Sequence, residues 1–373
     1  MNVAVLTSSR ADYGIYLPLL KKLRSDPFFS LKIVAFGTHL STFHGLTKNQ
    51  IREDGFEIYR EIESLVLGDS AEAISSAMGL THLKFSSFWA QEQKQVDIIF
   101  CLGDRYEMFG AVMASIPFNI PVAHIHGGET TIGAIDNIFR HSLTIASKFH
   151  FATTQHHADR IKELTGQESN IYNIGSLSLD NLNDLELYSI ADFSARFGAD
   201  LSIPTVLVTY HPETVDLSNN LNSLNEVIAA LDSLEEQVLI TMPNADTQGN
   251  DVRTILLRFA DRKKNVVTVE SLGTKGYFSA MYHSKFLLGN SSSGIIEAAS
   301  FKKYVINIGD RQKGRECGPN IIHCHAQQEQ IIAAIQKIKE LPEYNGFNIY
   351  GRGNASEDVI KVLKQINLQK LGK

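Results

Sequence analysis

Cysteine is scarce in this sequence, and long hydrophobic segments are missing from it. The 373 residues include three cysteines, Cys101, Cys317 and Cys324, which cannot all pair and show no Cys-x-x-Cys spacing. We therefore expect reduced thiols rather than a disulfide framework or a zinc site. No stretch approaches the roughly 20 uninterrupted apolar residues of a membrane helix. Met1 leads directly into a β-type run instead of an apolar signal core, which predicts a cytoplasmic protein.

Positive charge and nucleotide-binding glycines are also few. Lysine and arginine total 35 against 41 acidic residues, which gives a net charge of −6, and no polybasic face stands out. Nucleic acid and anionic membranes are therefore poor candidates as partners. The turn after the first β-type run lacks the G-x-G-x-x-G pattern, so a dinucleotide dehydrogenase is not indicated. An anionic substrate would need a local cationic pocket.

The chain is longer than the usual span of one hydrophobic core, so two domains are expected. Short β-branched runs alternate with helical stretches, which is typical of βαβ units around a parallel sheet. The sequence predicts an α/β protein with two Rossmann-like domains, residues 1–180 and 181–350, and a terminal helix in residues 351–373. That helix would pack on one of the domains, with the first as an option. Ligands of open α/β sheets bind beyond the carboxyl ends of the strands, so we expect the two domains to face a cleft.

Buried strands are predicted at ten places in the chain. They are residues 3–7, 31–36, 97–102, 121–125 and 148–153 in the first domain, and 205–210, 237–241, 265–269, 285–288 and 304–308 in the second.

Charged residues follow two strands of the first domain. Arg10 stands at a strand-to-helix turn, where a guanidinium and free backbone N–H groups suit a phosphate or carboxylate, although a surface arginine often has no role. Asp104 and Arg105 come after the strand at 97–102 and would face a ligand there. Asp104 could equally cap the next helix.

A third strand leads into the segment from His126 to Glu129, with Asp136 and Arg140 soon after. Asp136 and Arg140 are four residues apart and share one face if the segment is helical. Clustered carboxylates shift one another's pKa values and separate acid from base roles, which predicts proton abstraction or delivery involving Asp104, Glu129 and Asp136. A metal site built on the His-x-His pair with Glu129 or Asp136 is the alternative, but we predict none, because a second ligand cluster is missing.

The second domain offers polar groups at four corresponding places. His211 follows its first strand as an acid, a base or a phosphate donor, or as a structural histidine, and Asn244 follows the second. Residues 289–297 join a strand to a helix, and Ser291, Ser292 and Ser293 supply donors to an anion, most simply a diphosphate. Further polar residues are Glu297, placed for ribose hydroxyls, and Arg311, in a cationic segment that ends the next strand.

Taken together, these segments resemble the hydrolysing UDP-N-acetylglucosamine 2-epimerases, the first enzymes of sialic and related nonulosonic acid synthesis. The motifs occur in family order across nearly the whole chain: S-R-A-D-Y-G, G-D-R-Y-E, H-I-H-G-G-E, G-A-I-D-x-x-x-R-H, H-P-E-T, G-N-S-S-S-G-x-x-E and I-N-I-G-D-R-Q-K-G-R. The resemblance implies the GT-B fold. It also implies a UDP site formed by Arg10, His211, Asn244, Ser291, Ser292, Glu297 and Arg311. Around the sugar it implies Asp104, Glu129, Asp136 and Arg140.

The resemblance further implies an anti elimination of UDP that gives a 2-acetamidoglycal, followed by hydration to the manno-configured free sugar. No hydride moves, so no cofactor is expected. Many relatives carry a catalytic glutamate at the position of His126, and its role passes here either to Glu129 or to His126 itself. Two substrates stay open, UDP-GlcNAc, which we prefer, and UDP-N,N′-diacetylbacillosamine. The family implies a homodimer or homotetramer.

Two other classes would use the same residues. A GT-B glycosyltransferase shares the domains and the diphosphate loop but has less reason to gather carboxylates in the first domain. A non-catalytic nucleotide-sugar sensor is disfavoured, because perturbed carboxylate clusters more often mark catalysis.

Overall fold

The structure is a computed structural model that describes residues 1–68, 70–130, 135–183, 185–211, 220–242 and 249–366. The chain divides into two compact units. Unit 1 consists of Met1–Asn183 and Tyr350–Lys373, and unit 2 is Asp184–Ile349. The C-terminal segment therefore belongs to the first unit.

A parallel sheet forms the centre of unit 1. Seven strands are found in its described residues, in the order β3-β2-β1-β4-β5-β6-β7. They are β1 Asn2–Thr7, β2 Ser30–Phe36, β3 Ile58–Ile62, β4 Ile98–Leu102, β5 Val122–Ile125, β6 Phe149–Ala152 and β7 Ile171–Asn173. The order reverses its direction of growth between β1 and β4, and such a switch point leaves a crevice at the carboxyl ends of the strands.

Unit 2 contains a second parallel sheet. The part of unit 2 that the structure describes has six strands, in the order β10-β9-β8-β11-β12-β13. They are β8 Thr205–Thr209, β9 Gln237–Thr241, β10 Val266–Val269, β11 Phe286–Gly289, β12 Val305–Ile308 and β13 Ile321–Cys324. The prediction of an α/β protein with two parallel sheets is confirmed.

Helices connect the strands in both units. In unit 1 they are α1 Arg10–Ser25, α2 Lys48–Glu53, α3 Ala71–Glu92, α4 Tyr106–Met113, α5 Asp136–Ala146, α6 Gln155–Thr165, α7 Leu177–Asp180 and α14 Ala355–Gln365. In unit 2 they are α8 Ile190–Phe197, α9 Asn220–Asp232, α10 Gly249–Arg262, α11 Gly273–His283, α12 Ser292–Ile296 and α13 Gln328–Glu340. Short 3-10 turns lie at Gly37–Leu40, Ile116–Phe118 and Ala298–Phe301. Among all described residues, we find no helix with the length and apolar character needed to cross a membrane.

Apolar cores cover both faces of the first sheet. Val3 and Val5 of β1 point into one core with α1 and α14, whereas Ala4 and Leu6 point into the other with α3 and α4. This is the alternation that the period of a strand imposes, and it explains why β1 reads as one continuous apolar run.

The terminal helix is fixed to unit 1 by a buried carboxylate. Asp180 accepts hydrogen bonds from the backbone N–H groups of Ala355 at 2.9 Å and Ser356 at 2.7 Å. These N–H groups in the first turn have no partner within their own helix, and a negative charge is favourable at that end. Helix α14 therefore begins against unit 1 and buries Val359 and Leu363 in its core.

Candidate active site

A tight turn of two glycines follows β5 and directs the next side chains inward. Gly128 has φ +78°, and a Cβ atom there would lie 2.3 Å from the carbonyl oxygen of His157. At Gly127 a Cβ would lie 2.9 Å from Nδ1 of His124. Side chains are therefore excluded at both positions, and the chain can turn sharply enough to bury His126 and Glu129.

The guanidinium of Arg140 lies at the centre of the charged residues in unit 1. Helix α5 buries this side chain, and its Nη2 donates to Asp104, which follows β4. Its Nη1 donates to Glu129 Oε2 at 3.0 Å and to the carbonyl of His126 at 3.1 Å. One buried cation thus holds two carboxylates and the end of β5 in one place. Such a charge is tolerated only because all these acceptors surround it.

Glu129 has further partners on its other oxygen. Thr153, which follows β6, donates to Oε1 at 3.1 Å, and Nδ1 of His126 lies 3.2 Å from the same oxygen. Thr153 also lies 2.8 Å from Nδ1 of His157. Residues from two adjacent strand ends, β5 and β6, therefore meet at Glu129.

Asp136 is the first residue of α5, the helix that also carries Arg140. Arg140 points into the unit, whereas Asp136 is exposed. Desolvation by the neighbouring residues raises the pKa of Asp136, and the negative charge of Asp104 raises it further. Asp136, whose pKa is raised, and Asp104, which is ion-paired with Arg140, thus have different environments.

The His-x-His pair does not converge as metal ligands would. Both ring nitrogens of His124 contact protein groups, Nε2 with the carbonyl of Gly103 at 2.8 Å and Nδ1 with Thr144 at 3.1 Å. Burial lowers the pKa of His124 to about 3, so the ring is neutral and structural. No group of three or more metal-binding side chains is found within the described residues.

The loop after β1 is organised by a residue that the sequence analysis did not single out. The buried carboxylate of Asp12 accepts from the backbone N–H groups of Ser8 at 2.8 Å and Ser9 at 2.7 Å, and from both hydroxyls. Asp12 therefore shapes the turn that carries Arg10, which is exposed at the start of α1. Its only signal was its place in the S-R-A-D-Y-G motif. Arg105 donates to buried Glu107 at 2.7 and 3.2 Å, which fixes its guanidinium at the start of α4.

In unit 2, Asn290 connects three loops at the carboxyl ends of the strands. Its side chain exchanges two hydrogen bonds of 2.8 Å with the backbone of His211. Its carbonyl accepts from Arg311 at 3.1 Å and from Gln312 at 2.9 Å. Gly289 precedes it with φ +140°, and a Cβ there would lie 1.9 Å from the carbonyl oxygen of Thr209. Asn290 is a second organising residue that we did not predict.

The serine-rich segment begins helix α12 next to this junction. Ser291 caps the helix and accepts from the N–H of Ser293, while Ser292 and Ser293 are half-buried and Glu297 is buried where the helix ends. These side chains, His211 and Arg311 therefore belong to one edge of unit 2, as predicted. Asn244 and residues 212–219 lie outside the described residues.

Comparison with known proteins places this chain in a family. The profile described as UDP-N-acetylglucosamine 2-epimerase matches residues 21–364. The chain belongs to the UDP-N-acetylglucosamine 2-epimerase family. The family resemblance seen in the sequence motifs is therefore confirmed.

Two relatives in this epimerase family match over most of their length. The UDP-N,N′-diacetylbacillosamine 2-epimerase (hydrolyzing) of Legionella pneumophila is 32% identical over 98% of this chain and 96% of its own. The GDP/UDP-N,N′-diacetylbacillosamine 2-epimerase (hydrolyzing) of Campylobacter jejuni is 34% identical over 86% of this chain and 83% of its own.

A solved structure from the family has the same fold. The UDP-GlcNAc 2-epimerase of Neisseria meningitidis, crystallised with UDP-GlcNAc, superposes with a TM-score of 0.79 over 98% of this chain and all of its own, at 18% identity. This likeness concerns the fold, and it agrees with the predicted epimerase architecture.

The need for glycine in this turn can be tested by measuring the stability of a Gly128 variant. We expect Gly128→Ala to lower the free energy of unfolding of unit 1 by about 3 kcal/mol, because the methyl group meets the carbonyl of His157 at a strained φ. Trp89 is the single tryptophan of the chain and is fully buried in unit 1, so its fluorescence during urea denaturation reports on this unit.

Gly79→Ala in helix α3 is the matched control. A Cβ at Gly79 meets no atom within 4 Å, so we expect no loss, or a gain of up to about 1 kcal/mol. Equal stabilities of the two variants would contradict the role assigned to the turn.

Proposed function

We propose that this chain is a hydrolysing 2-epimerase that releases UDP from a 2-acetamido sugar and inverts carbon 2. Family membership supports this reaction class, and it is the class that the names of the two relatives state. A glycosyltransferase, the alternative from another class, has no support from these comparisons.

The ring of acidic groups around Arg140 is the observation that carries the proposal. Loss of UDP from carbon 1 with inversion at carbon 2 requires one proton to leave carbon 2 and another to arrive on the opposite face. Asp104, Glu129 and Asp136 provide acidic groups in different environments, one of them with a raised pKa. General acid–base catalysis by such groups contributes roughly 10²- to 10⁴-fold in rate.

Unit 2, in this proposal, holds the nucleotide at the junction organised by Asn290. Hydroxyl and N–H donors at the start of α12, with Arg311 and His211 joined to the same asparagine, suit the negative charge that grows on the departing diphosphate. Glu297 would accept from ribose hydroxyls, and Asn244 and Arg10 would add polar contacts.

The names of the relatives support one of the two candidate sugars. We preferred UDP-GlcNAc on the sequence alone, but the relatives at 32% and 34% identity are named for N,N′-diacetylbacillosamine. We therefore infer that the diacetyl sugar is the better substrate, with UDP-GlcNAc as the second candidate. The two differ by an acetamido group for a hydroxyl and a methyl for a hydroxymethyl, contacts worth roughly 1–3 kcal/mol. The product of the diacetyl sugar would serve legionaminic acid synthesis, and the product of UDP-GlcNAc would serve sialic acid synthesis. In either case we expect the reaction to take place in the cytoplasm.

A homodimer is the assembly that the surface of unit 1 supports. Ile135, Ile138 and Ile145 are at least 60% exposed, and the last two are seven residues apart on one face of α5. A second copy of the chain would cover this apolar face.

Light scattering would measure the assembly. We expect twice the mass of one 41.4 kDa chain for the wild type and a single chain for Ile138→Glu, whereas Leu257→Glu in unit 2 stays dimeric. A wild-type monomer would overturn this part of the proposal.

The reaction itself is tested with both sugars in deuterated water. We expect UDP and a manno-configured sugar in equal amounts, deuterium at carbon 2 of the product, and an unchanged rate in excess chelator. The diacetyl sugar should have the higher kcat/KM, by about 10-fold or more if the contacts above differ by 1.4 kcal/mol. A product without deuterium would exclude the elimination.

A further inference from the structure

The carboxylate of Glu129 is already fully engaged by the protein. Arg140 donates to one of its oxygens at 3.0 Å, and Thr153 donates to the other at 3.1 Å. His126 Nδ1 lies 3.2 Å from that second oxygen. Each contact stabilises the ionised carboxylate, and a carboxylate bound in this way is a poor proton acceptor. Glu129 is therefore better suited to orient a neighbour than to take a proton from the substrate.

The neighbour that Glu129 orients is the ring of His126. A carboxylate accepts hydrogen bonds, so the proton of the neutral ring lies on Nδ1 and the lone pair lies on Nε2. Within the described residues Nε2 is buried and has no hydrogen-bond partner, and the whole side chain is 10% exposed. A buried ring nitrogen is normally paired, so the lone pair that Nε2 keeps free can accept a proton once a substrate displaces the atoms that cover it.

The backbone of His126 is also unusual. Its φ of +64° lies in the left-handed region, which residues other than glycine rarely adopt. Two hydrogen bonds hold it there: its N–H donates to the carbonyl of Phe151 at 3.1 Å, and its own carbonyl accepts from Arg140 at 3.1 Å. Strained residues that the surroundings fix in this way cluster at active sites.

We propose that His126 is the base of the elimination and that Glu129 is its positioning residue. Nε2 takes the proton from carbon 2, the electrons of that C–H bond form the double bond to carbon 1, and the electron pair of the C1–O bond leaves with UDP. The later proton on the opposite face comes from another group, for which Asp104 and Asp136 are available. This assignment rests on the proposed function.

The test is His126→Asn in the full-length protein. Asparagine tolerates a left-handed φ, and its amide can still donate to Glu129, but it has no counterpart of Nε2. We expect kcat to fall by about 100-fold or more, with KM changed less than about 3-fold. Trp89 fluorescence during denaturation checks that unit 1 keeps its stability. A loss in kcat of less than 10-fold would overturn the assignment.

His126→Glu is the second variant and keeps the proposal testable if the asparagine variant folds poorly. A carboxylate restores a base, so kcat should exceed that of His126→Asn by about 10-fold or more. Glu129, Arg140, Asp104, His124 and His157 surround the position and are the same in both variants. A His126→Glu variant that is folded but no more active than His126→Asn would overturn the assignment.

The activity of the wild-type protein distinguishes a failure of the proposed function from a failure of the assignment of His126 as the base. If it releases no UDP from either sugar, the proposed function fails. If it is active and His126→Asn is equally active, only the assignment of the base fails.

Discussion

The charge of Arg140 and the carboxylates around it form the contact on which the catalytic half of the protein depends. Unit 1 buries this guanidinium at the carboxyl edge of its sheet, where Asp104 arrives from β4 and Glu129 from β5. Removing Arg140 would leave the buried charge of Glu129 without its cation, which costs several kcal/mol. The positions of these acidic groups are thus fixed by electrostatics as well as by the backbone.

The sheets explain why the site lies where it does. Parallel strands deliver their carboxyl ends to one edge, so residues distant in the sequence meet there without any local motif that joins them. Gly128 in unit 1 and Gly289 in unit 2 then allow a backbone approach that no side chain would permit. In unit 2 the side-chain amide of Asn290 holds the backbone of His211 in place by two hydrogen bonds, much as Arg140 holds the carboxylates in unit 1.

The sequence predicted the strands well where all residues of a strand are buried. Central strands such as β1 and β8 are apolar throughout and were predicted nearly to the residue. Three strands were missed, β3, β7 and β13, and each of them lies at the edge of a sheet with mixed exposure. An edge strand is covered less completely, so its pattern does not stand out from that of a loop.

The grouping of the candidate residues at the strand ends was predictable because parallel strands end at the same edge of a sheet. Their contacts were not predictable. Arg140 and Asp104 are separated by 36 positions, and Thr153 was not singled out although it completes the surroundings of Glu129. The left-handed backbone of His126 depends on Phe151 and Arg140, which only the folded chain brings to it.

A double-mutant cycle between Arg140 and Glu129 tests the central claim most directly. The free energy of unfolding of unit 1 would be measured for Arg140→Gln, Glu129→Gln and the double variant. The account predicts that the double variant loses less than the two single losses combined, with a coupling of about 2 kcal/mol, because neither of these two charges is then left without the other. Strictly additive losses would contradict it.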